Sequence, residues 1–265
     1  MRRFGADYLR ETRRGMWADS RDALADLRLS EAGSVLDVGC GTGELTAVLR
    51  EECPGRVVGL DRDPELLAHA PGPVLRGDAR ALPLPDDAVD VVVCQALLVN
   101  LPDPAAVVAE FARVARERVA AIEPDNAAVT VDSTVDAEAA LARRARERYL
   151  DGVGTDVALG AGAREAFATA GLTDIGTRRY DHERVVAPPY AAREVEAATR
   201  KASGADLRER RDTMSGTEEE LDALRESWRA MGRDVLRQVR AGTYERRETV
   251  PFHVVVGRAD RRGES

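Results

Sequence analysis

Val35-Leu36-Asp37-Val38-Gly39-Cys40-Gly41-Thr42-Gly43-Glu44-Leu45-Thr46 is the stretch that decides the fold. Val35 to Val38 reads as a buried strand. Glycine at 39, 41 and 43 reads as a tight turn, and Leu45 to Leu49 continues at helical spacing. Glycines let the chain turn sharply and let a ligand come close to the backbone where side chains would stand in the way. A dinucleotide fingerprint requires G-x-G-x-x-G, and here the third glycine comes one position early; no Walker lysine follows to reach a phosphate chain. Asp37, directly before the turn, would repel a pyrophosphate and suits a ligand that carries an ammonium group.

Outward from this stretch, Val-rich runs alternate with helical patterns from Ser34 to about Ala121: Val57 to Leu60, Val89 to Cys94 and Val119 to Ile122 against Leu45 to Leu49 and Val107 to Val114. That alternation predicts βα units on a parallel sheet. Asp63-Pro64 and Asp103-Pro104 each set an N-cap acceptor before a proline at the first helical position. Asp61 ends the second strand, eighteen residues after Gly43, where a short carboxylate can take both hydroxyl protons of a ribose. Asp78, after the next short strand, lies where a loop would pass a base and could accept from an adenine amino group. Three carboxylates on successive strand ends describe a ligand with an amine, a ribose and an adenine, and no phosphates.

With these residues in place the sequence resembles a class I S-adenosylmethionine-dependent methyltransferase of the small-molecule type. Asp37, Gly39, Gly41 and Gly43 match that family's first motif, Asp61 its ribose-binding acid, and Asp78 with Ala79 its adenine-contacting pair. Asp90 to Pro104, followed by Glu110 and Arg113-Val114, resembles its fourth strand and the helix after it. The resemblance implies a Rossmann-like, seven-stranded, mostly parallel sheet with helices on both faces, to which a helical cap is added. It implies S-adenosylmethionine as cofactor, S-adenosylhomocysteine as product and no metal, with Cys40, Arg62 and Gln95 joining the cofactor set. The family displaces the sulfonium methyl in line toward an O, N, S or C atom of the acceptor. Glu123 and Asp125, just past the fifth strand, and His182, near the end of the sixth, are the candidates for a base; Glu123 and His182 are taken as catalytic. Tyr8 and Trp17 precede the first strand, where relatives fold a helix over the cofactor, and aromatic faces attract a sulfonium.

Two departures bear on the acceptor. Val99-Asn100 stands where many relatives carry a histidine pair, and Ala115-Arg116-Glu117-Arg118 replaces the usual Pro-Gly-Gly before the fifth strand, so that turn should be shorter or stiffer.

Downstream, helices are expected over Ala137 to Leu150, Ala163 to Ala170 and Thr217 to Arg240, the last behind a capping box at Ser215-Gly216-Thr217-Glu218. Strands are expected over Asp174 to Asp181 and Val250 to Val256. The resulting division is 1–32 as N-terminal helices over the cofactor site, 33–187 with 249–259 as the methyltransferase core, 188–248 as a helical insertion forming the acceptor lid, and 260–265 as a disordered tail.

Composition sets the outer limits. The chain has 265 residues, 44% hydrophobic and 32% charged, so it can bury a core and stay soluble. The charge of −8 argues against a broad nucleic-acid surface, and residues 190–248 hold thirteen basic and thirteen acidic residues. A small-molecule acceptor is therefore expected. An RNA or protein methyltransferase, or a cofactor-binding sensor, is the alternative. With no membrane span and no secretory signal the cytoplasm is the default, and monomer and homodimer are equally open. Three cysteines without a CxxC pair fit a reduced compartment.

Overall fold

The computed structural model describes residues 5–18 and 20–259; the expected tail at 260–265 lies outside them. In chain order the first elements are α1 (Ala6–Arg13), β1 (Ser34–Val38), α2 (Glu44–Glu52), β2 (Arg56–Asp61), α3 (Pro64–Leu67), β3 (Val74–Arg76), β4 (Val89–Gln95), α4 (Pro104–Val114) and β5 (Ala115–Pro124). They are followed by β6 (Thr130–Ser133), α5 (Asp136–Gly152), α6 (Ala163–Thr169), β7 (Thr173–Val186), α7 (Ala192–Ser203), α8 (Ala205–Arg210), α9 (Glu218–Ala241) and β8 (Arg246–Arg258). They divide into two compact units, one drawn from Met1–Asp125, Leu159–Tyr180 and Pro251–Ser265, the other from Asn126–Ala158 and Asp181–Val250.

The first unit holds a mostly parallel sheet in the order β3-β2-β1-β4-β5-β8, with β7 pairing β8. The pairs from β3 to β5 are parallel and the β5–β8 pair is antiparallel. This is the Rossmann-like class that the resemblance implies, built of the parallel βα units that the alternation predicts. Strands covered on both faces lose the polar alternation of exposed strands, so Val91, Val92, Val93 and Cys94 of β4 are all fully buried. Phe111 of α4 and Phe167 of α6 fill the core over this sheet, each burying side-chain area worth roughly 2–3 kcal/mol. Both Asp-Pro starts behave as read: Asp63 accepts from Glu65 N at 3.0 Å and Asp103 from Ala106 N at 3.0 Å, with proline inside each first turn.

The turn before β5 is shortened to nothing, since Val114 ends α4 and Ala115 begins β5. Arg116 secures the junction by donating to Asp90 Oδ1 at 2.7 Å and to Ala88 O at 2.8 Å, a clamp that a Pro-Gly-Gly turn has no side chain to make.

The second unit is built on helices. β6 pairs antiparallel with the first residues of β8, from Thr130 opposite Thr249 to Ser133 opposite Arg246. Leu224, Trp228, Met231 and Val235 form its core together with Val135, the first four being the stripe that three- and four-residue spacing on α9 predicts. α9 does start with a capping box, but two residues later than the sequence reading set it: Thr217 Oγ1 accepts from Glu220 N at 3.2 Å and Glu220 Oε2 from Thr217 N at 3.0 Å. Gly232 lets α7 and α9 pack closely, since a Cβ there would stand 2.3 Å from the Lys201 carbonyl carbon.

This unit is larger than the expected 188–248 insertion. It takes in residues 126–158 and 181–187, which the sequence reading placed in the core. The reason is packing: Leu141, Ala142 and Ala145 of α5 lie on the α9 cluster. Among the described residues, no helix is long and apolar enough to cross a membrane.

Candidate cofactor site

All the residues in this subsection except His182 belong to the first unit. The glycine turn leaves β1 with Gly39, Gly41 and Gly43 at φ of +73°, +57° and +86°, a region L side chains resist. Gly43 is also hemmed in, since a Cβ there would lie 2.6 Å from Pro71 Cδ. Gly39 N and Cys40 N donate to Leu60 O at 2.7 and 3.0 Å, tying the turn to the end of β2. Asp61 completes that tie. Its Oδ2 accepts from Gly41 N at 2.9 Å and its Oδ1 from Asp63 N at 2.9 Å, so the expected ribose acid also holds the main chain of the turn. The Cys40 thiol is buried, and burial pushes its pKa up, which favours the neutral thiol.

Asp37 is fully buried at the end of β1. Its Oδ2 accepts from Thr46 Oγ1 at 2.5 Å, while Oδ1 has no hydrogen-bond partner among the described residues. Burial pushes its pKa up to about 6, with Thr46 and Arg13 pulling the other way. A buried carboxylate with an unspent oxygen next to three left-handed glycines fits an ammonium group, and Asp61 at the end of β2 fits a ribose. The residues present therefore suit S-adenosylmethionine. Sequence reading quoted Thr46 without giving it a role; its position in the first turn of α2, from which its hydroxyl reaches back to Asp37 of β1, was the available signal.

Glu123, one of the two residues taken as catalytic, faces backbone N–H groups in this structure. It is fully buried, and its Oε1 accepts from Leu97 N at 3.1 Å and Leu98 N at 2.9 Å, its Oε2 from Val99 N at 3.2 Å. It thus positions the loop after β4, whose Leu97 packs on the glycine turn: a Cβ at Gly39 would meet Leu97 Cδ1 at 3.0 Å. Gln95, at the end of β4, is buried, its Nε2 on Met16 Sδ at 2.6 Å and its Oε1 without a partner among the described residues.

Asp78 is held by Arg80, which donates to Oδ1 at 3.0 Å and to Oδ2 at 2.6 Å, and this pairing lowers its pKa to about 2. It stands charged beside half-buried Ala79, with exposed Arg62 close enough to act on it electrostatically. His182 lies in the second unit, buried.

The N-terminal helix brings in Arg13, which the sequence reading did not single out. A Cβ at Gly41 would come 2.9 Å from Leu9 Cδ1 and 3.5 Å from an Arg13 nitrogen, so α1 covers the glycine turn. Arg13 also donates to Gln95 O at 3.4 Å and lies 3.8 Å from Glu44. Tyr8 is 48% exposed, so the aromatic close to the site is Trp17, whose ring centroid is 5.6 Å from that of Tyr180.

Comparison with known proteins agrees with this geometry. A family profile described as a methyltransferase domain matches residues 36–122. Trans-aconitate 2-methyltransferase of Azoarcus sp. (strain BH72) is 38% identical over 100 residues, 36% of this chain and 39% of that protein. Demethylmenaquinone methyltransferase of Lactiplantibacillus plantarum is 36% identical over 107 residues, 36% of this chain and 45% of its own length. The chain thus spans less than half of either relative. Among solved structures, a methyltransferase-like protein of Bacillus halodurans superposes with a TM-score of 0.53 at 16% identity, over 91% of this chain and 99% of that one; at that identity the likeness concerns the fold. Residues 36–122 thus match a methyltransferase domain.

Proposed function

We propose that this protein transfers the methyl group of S-adenosylmethionine to a small-molecule acceptor. The observation that carries the reading is Asp37: a fully buried carboxylate with an unpartnered oxygen, set beside a glycine turn that Asp61 holds open. When bound, S-adenosylmethionine would supply an electrophilic methyl on a sulfonium: an acceptor lone pair would bond to that carbon in line as its C–S bond breaks and the thioether of S-adenosylhomocysteine leaves. Asp37 takes the ammonium end. Gly39, Cys40, Gly41 and Gly43 offer backbone without side chains in the way, Asp61 with Arg62 beside it takes the ribose, and Asp78 with Ala79 faces the base. Gln95 lies toward the reacting end. Glu123 serves as a positioning residue for Leu97 to Val99 rather than as a base, because both of its oxygens are committed to backbone N–H groups. The protein's share of the catalysis is then placement and exclusion of water. A small-molecule acceptor accords with the −8 charge and with the trans-aconitate and demethylmenaquinone named for the two relatives.

The test is isothermal titration with S-adenosylhomocysteine, which needs no knowledge of the acceptor. Saturable binding at low micromolar concentration is expected, and no binding to folded protein would overturn the reading. Asp61→Ala is expected to weaken that binding by about 1.5–3 kcal/mol, the usual scale for hydrogen bonds to a charged group. Unchanged affinity would remove Asp61 from the ribose site.

A further inference from the structure

Within the first unit, the carboxyl ends of β4 and β5 lie on the opposite side of β1 from β2 and Asp61. In open α/β sheets ligands sit outside the carboxyl ends of strands, where the order reverses, and β1 is that point here. The β2 side is taken up by the ribose acid. On the other side stands a contiguous group from five parts of the chain. Gln95 of β4 touches Met16, and Trp17 packs on Tyr180 of β7. Tyr180 stacks on Phe252 with ring centroids 5.5 Å apart and planes 15° apart, and Phe252 of β8 pairs with Pro124 at the end of β5.

Three buried polar atoms in this group, Trp17 Nε1, Tyr180 OH and Gln95 Oε1, have no hydrogen-bond partner among the described residues. Trp17 is 6% exposed and Gln95 2%. A buried N–H or O–H left unpaired costs about 1–3 kcal/mol, so native folds carry few of them, and several on touching side chains call for an explanation. A hydrophobic core would have used phenylalanine at both positions, as it does at 252. Arg13 supplies the sign of the partner. Its side chain is only 10% exposed and, although it acts electrostatically on Asp37, its one ion pair among the described residues is a long one, 3.8 Å to Glu44, beside a 3.4 Å contact with Gln95 O. That charge reaches Tyr180, where burial pushes the phenol's pKa up and Arg13 draws it down. Two unspent donors and a positive field select an oxygen anion.

We propose that Arg13, Trp17 and Tyr180 form the acceptor-recognition wall of this unit and hold an anionic oxygen of the acceptor, a carboxylate or a phenolate. This rests on the methyltransferase reading and adds the chemical class of the acceptor and the residues that select it. The acceptor oxygen receives hydrogen bonds from Trp17 Nε1–H and Tyr180 O–H. Gln95 Oε1 is left to accept from any donor the acceptor carries.

The test is Tyr180→Phe in the full chain, with three readouts. Removing a hydroxyl that nothing in the fold satisfies is expected to raise the thermal midpoint of the ligand-free protein by about 2–4 °C, the shift that one kcal/mol gives at this size. A lowered midpoint would mean that the hydroxyl is bonded within the fold and would overturn the proposal. Calorimetry with S-adenosylhomocysteine is expected to give the same affinity in variant and parent, within a factor of about two on the scale where tenfold is 1.4 kcal/mol. An equal loss there would move Tyr180 to the cofactor. The third readout titrates the S-adenosylhomocysteine-loaded protein with trans-aconitate and other small di- and tricarboxylates in one arm and with simple phenols in the other. One arm is expected to bind, with Tyr180→Phe and Trp17→Phe each weakening it by about tenfold or more. Binding in neither arm, or binding that both variants leave intact, would overturn the assignment. A parent protein that fails to bind S-adenosylhomocysteine would instead strike the methyltransferase reading, while the sign of the midpoint shift would still report on Tyr180.

Discussion

Glu123→Ala is expected to cost about 3–5 kcal/mol of folding stability and to weaken S-adenosylhomocysteine binding with it. The change strands the N–H groups of Leu97, Leu98 and Val99 in a site from which water is excluded. Each stranded donor carries a penalty of about 1–3 kcal/mol, part of which the loop recovers by moving. Movement is what spoils the cofactor site, because Leu97 packs directly on Gly39. Urea unfolding followed by calorimetry on the same variant checks both halves. Full stability would show that the carboxylate supports nothing, and lost stability with intact affinity would detach the loop from the glycine turn.

Glu123 also sets a pH dependence. Burial pushes its pKa up to about 7 from the usual 4.5, although three backbone N–H groups pull it back. Above its ordinary value the folded state therefore holds more protons than the unfolded one, and stability falls as pH rises from about 4.5 through 7. Asp37, pushed up to about 6, acts in the same direction over the lower part of that range. The Glu123 share amounts to roughly 3 kcal/mol, at 1.36 kcal/mol for each pH unit of displacement. Glu123→Gln, which does not titrate, is expected to show a shallower loss between pH 5 and 8. Parallel curves for parent and variant would show that Glu123 stays ionised throughout.

The parts of this molecule that were legible in the sequence are those whose physics is local. A strand, three alternating glycines and a helix made the turn at 39–43 readable, and so did two Asp-Pro caps and the stripe along α9. Asp61 could be placed because its distance from the turn is set by one βα unit. What escaped depends on contacts between distant segments. Arg13 carries no motif, and only the folding of α1 over Gly41 brings it to Gln95, 82 residues away. Glu123 could be located at the end of β5, yet whether it faced a ligand or three backbone amides depended on the course of residues 97–99. The second unit escaped for the same reason. α5 has charged residues spread around it and only a weak apolar stripe, so its sequence does not say that it packs on α9. The capping box was misplaced by two residues because both Ser215 and Thr217 are followed three positions later by glutamate, and backbone geometry alone decides between them.

Glu138→Ala is expected to be as damaging in the second unit, at about 3–5 kcal/mol, the usual cost of breaking a buried charge pair from one side. Glu138 is 1% exposed. Its Oε1 accepts from Lys201 Nζ and from Tyr244 OH at 3.0 Å and lies 3.2 Å from Arg246 Nε; its Oε2 accepts from Ser133 Oγ at 2.6 Å. Lys201 is the only lysine in a chain whose other basic residues are arginines and three histidines. A compact ammonium fits between Glu138 and the Tyr244 ring, 5.7 Å from its centroid, where a planar guanidinium would need more room. Removing the carboxylate leaves the Lys201 and Arg246 charges facing each other. Burial and Arg246 already lower the Lys201 pKa, and Glu138 is what opposes them. In the variant Lys201 therefore releases its proton more readily when folded than when unfolded, and the stability of Glu138→Ala should climb as pH rises from 7 to 9. Lys201→Met keeps Glu138 paired with Arg246 and should cost less than half as much. The double variant, which removes the trapped ammonium, should recover part of the loss. Urea unfolding of the three variants decides the matter: if Lys201→Met is as harmful as Glu138→Ala, the lysine matters for its packing, and charge balance is not what holds this cluster together.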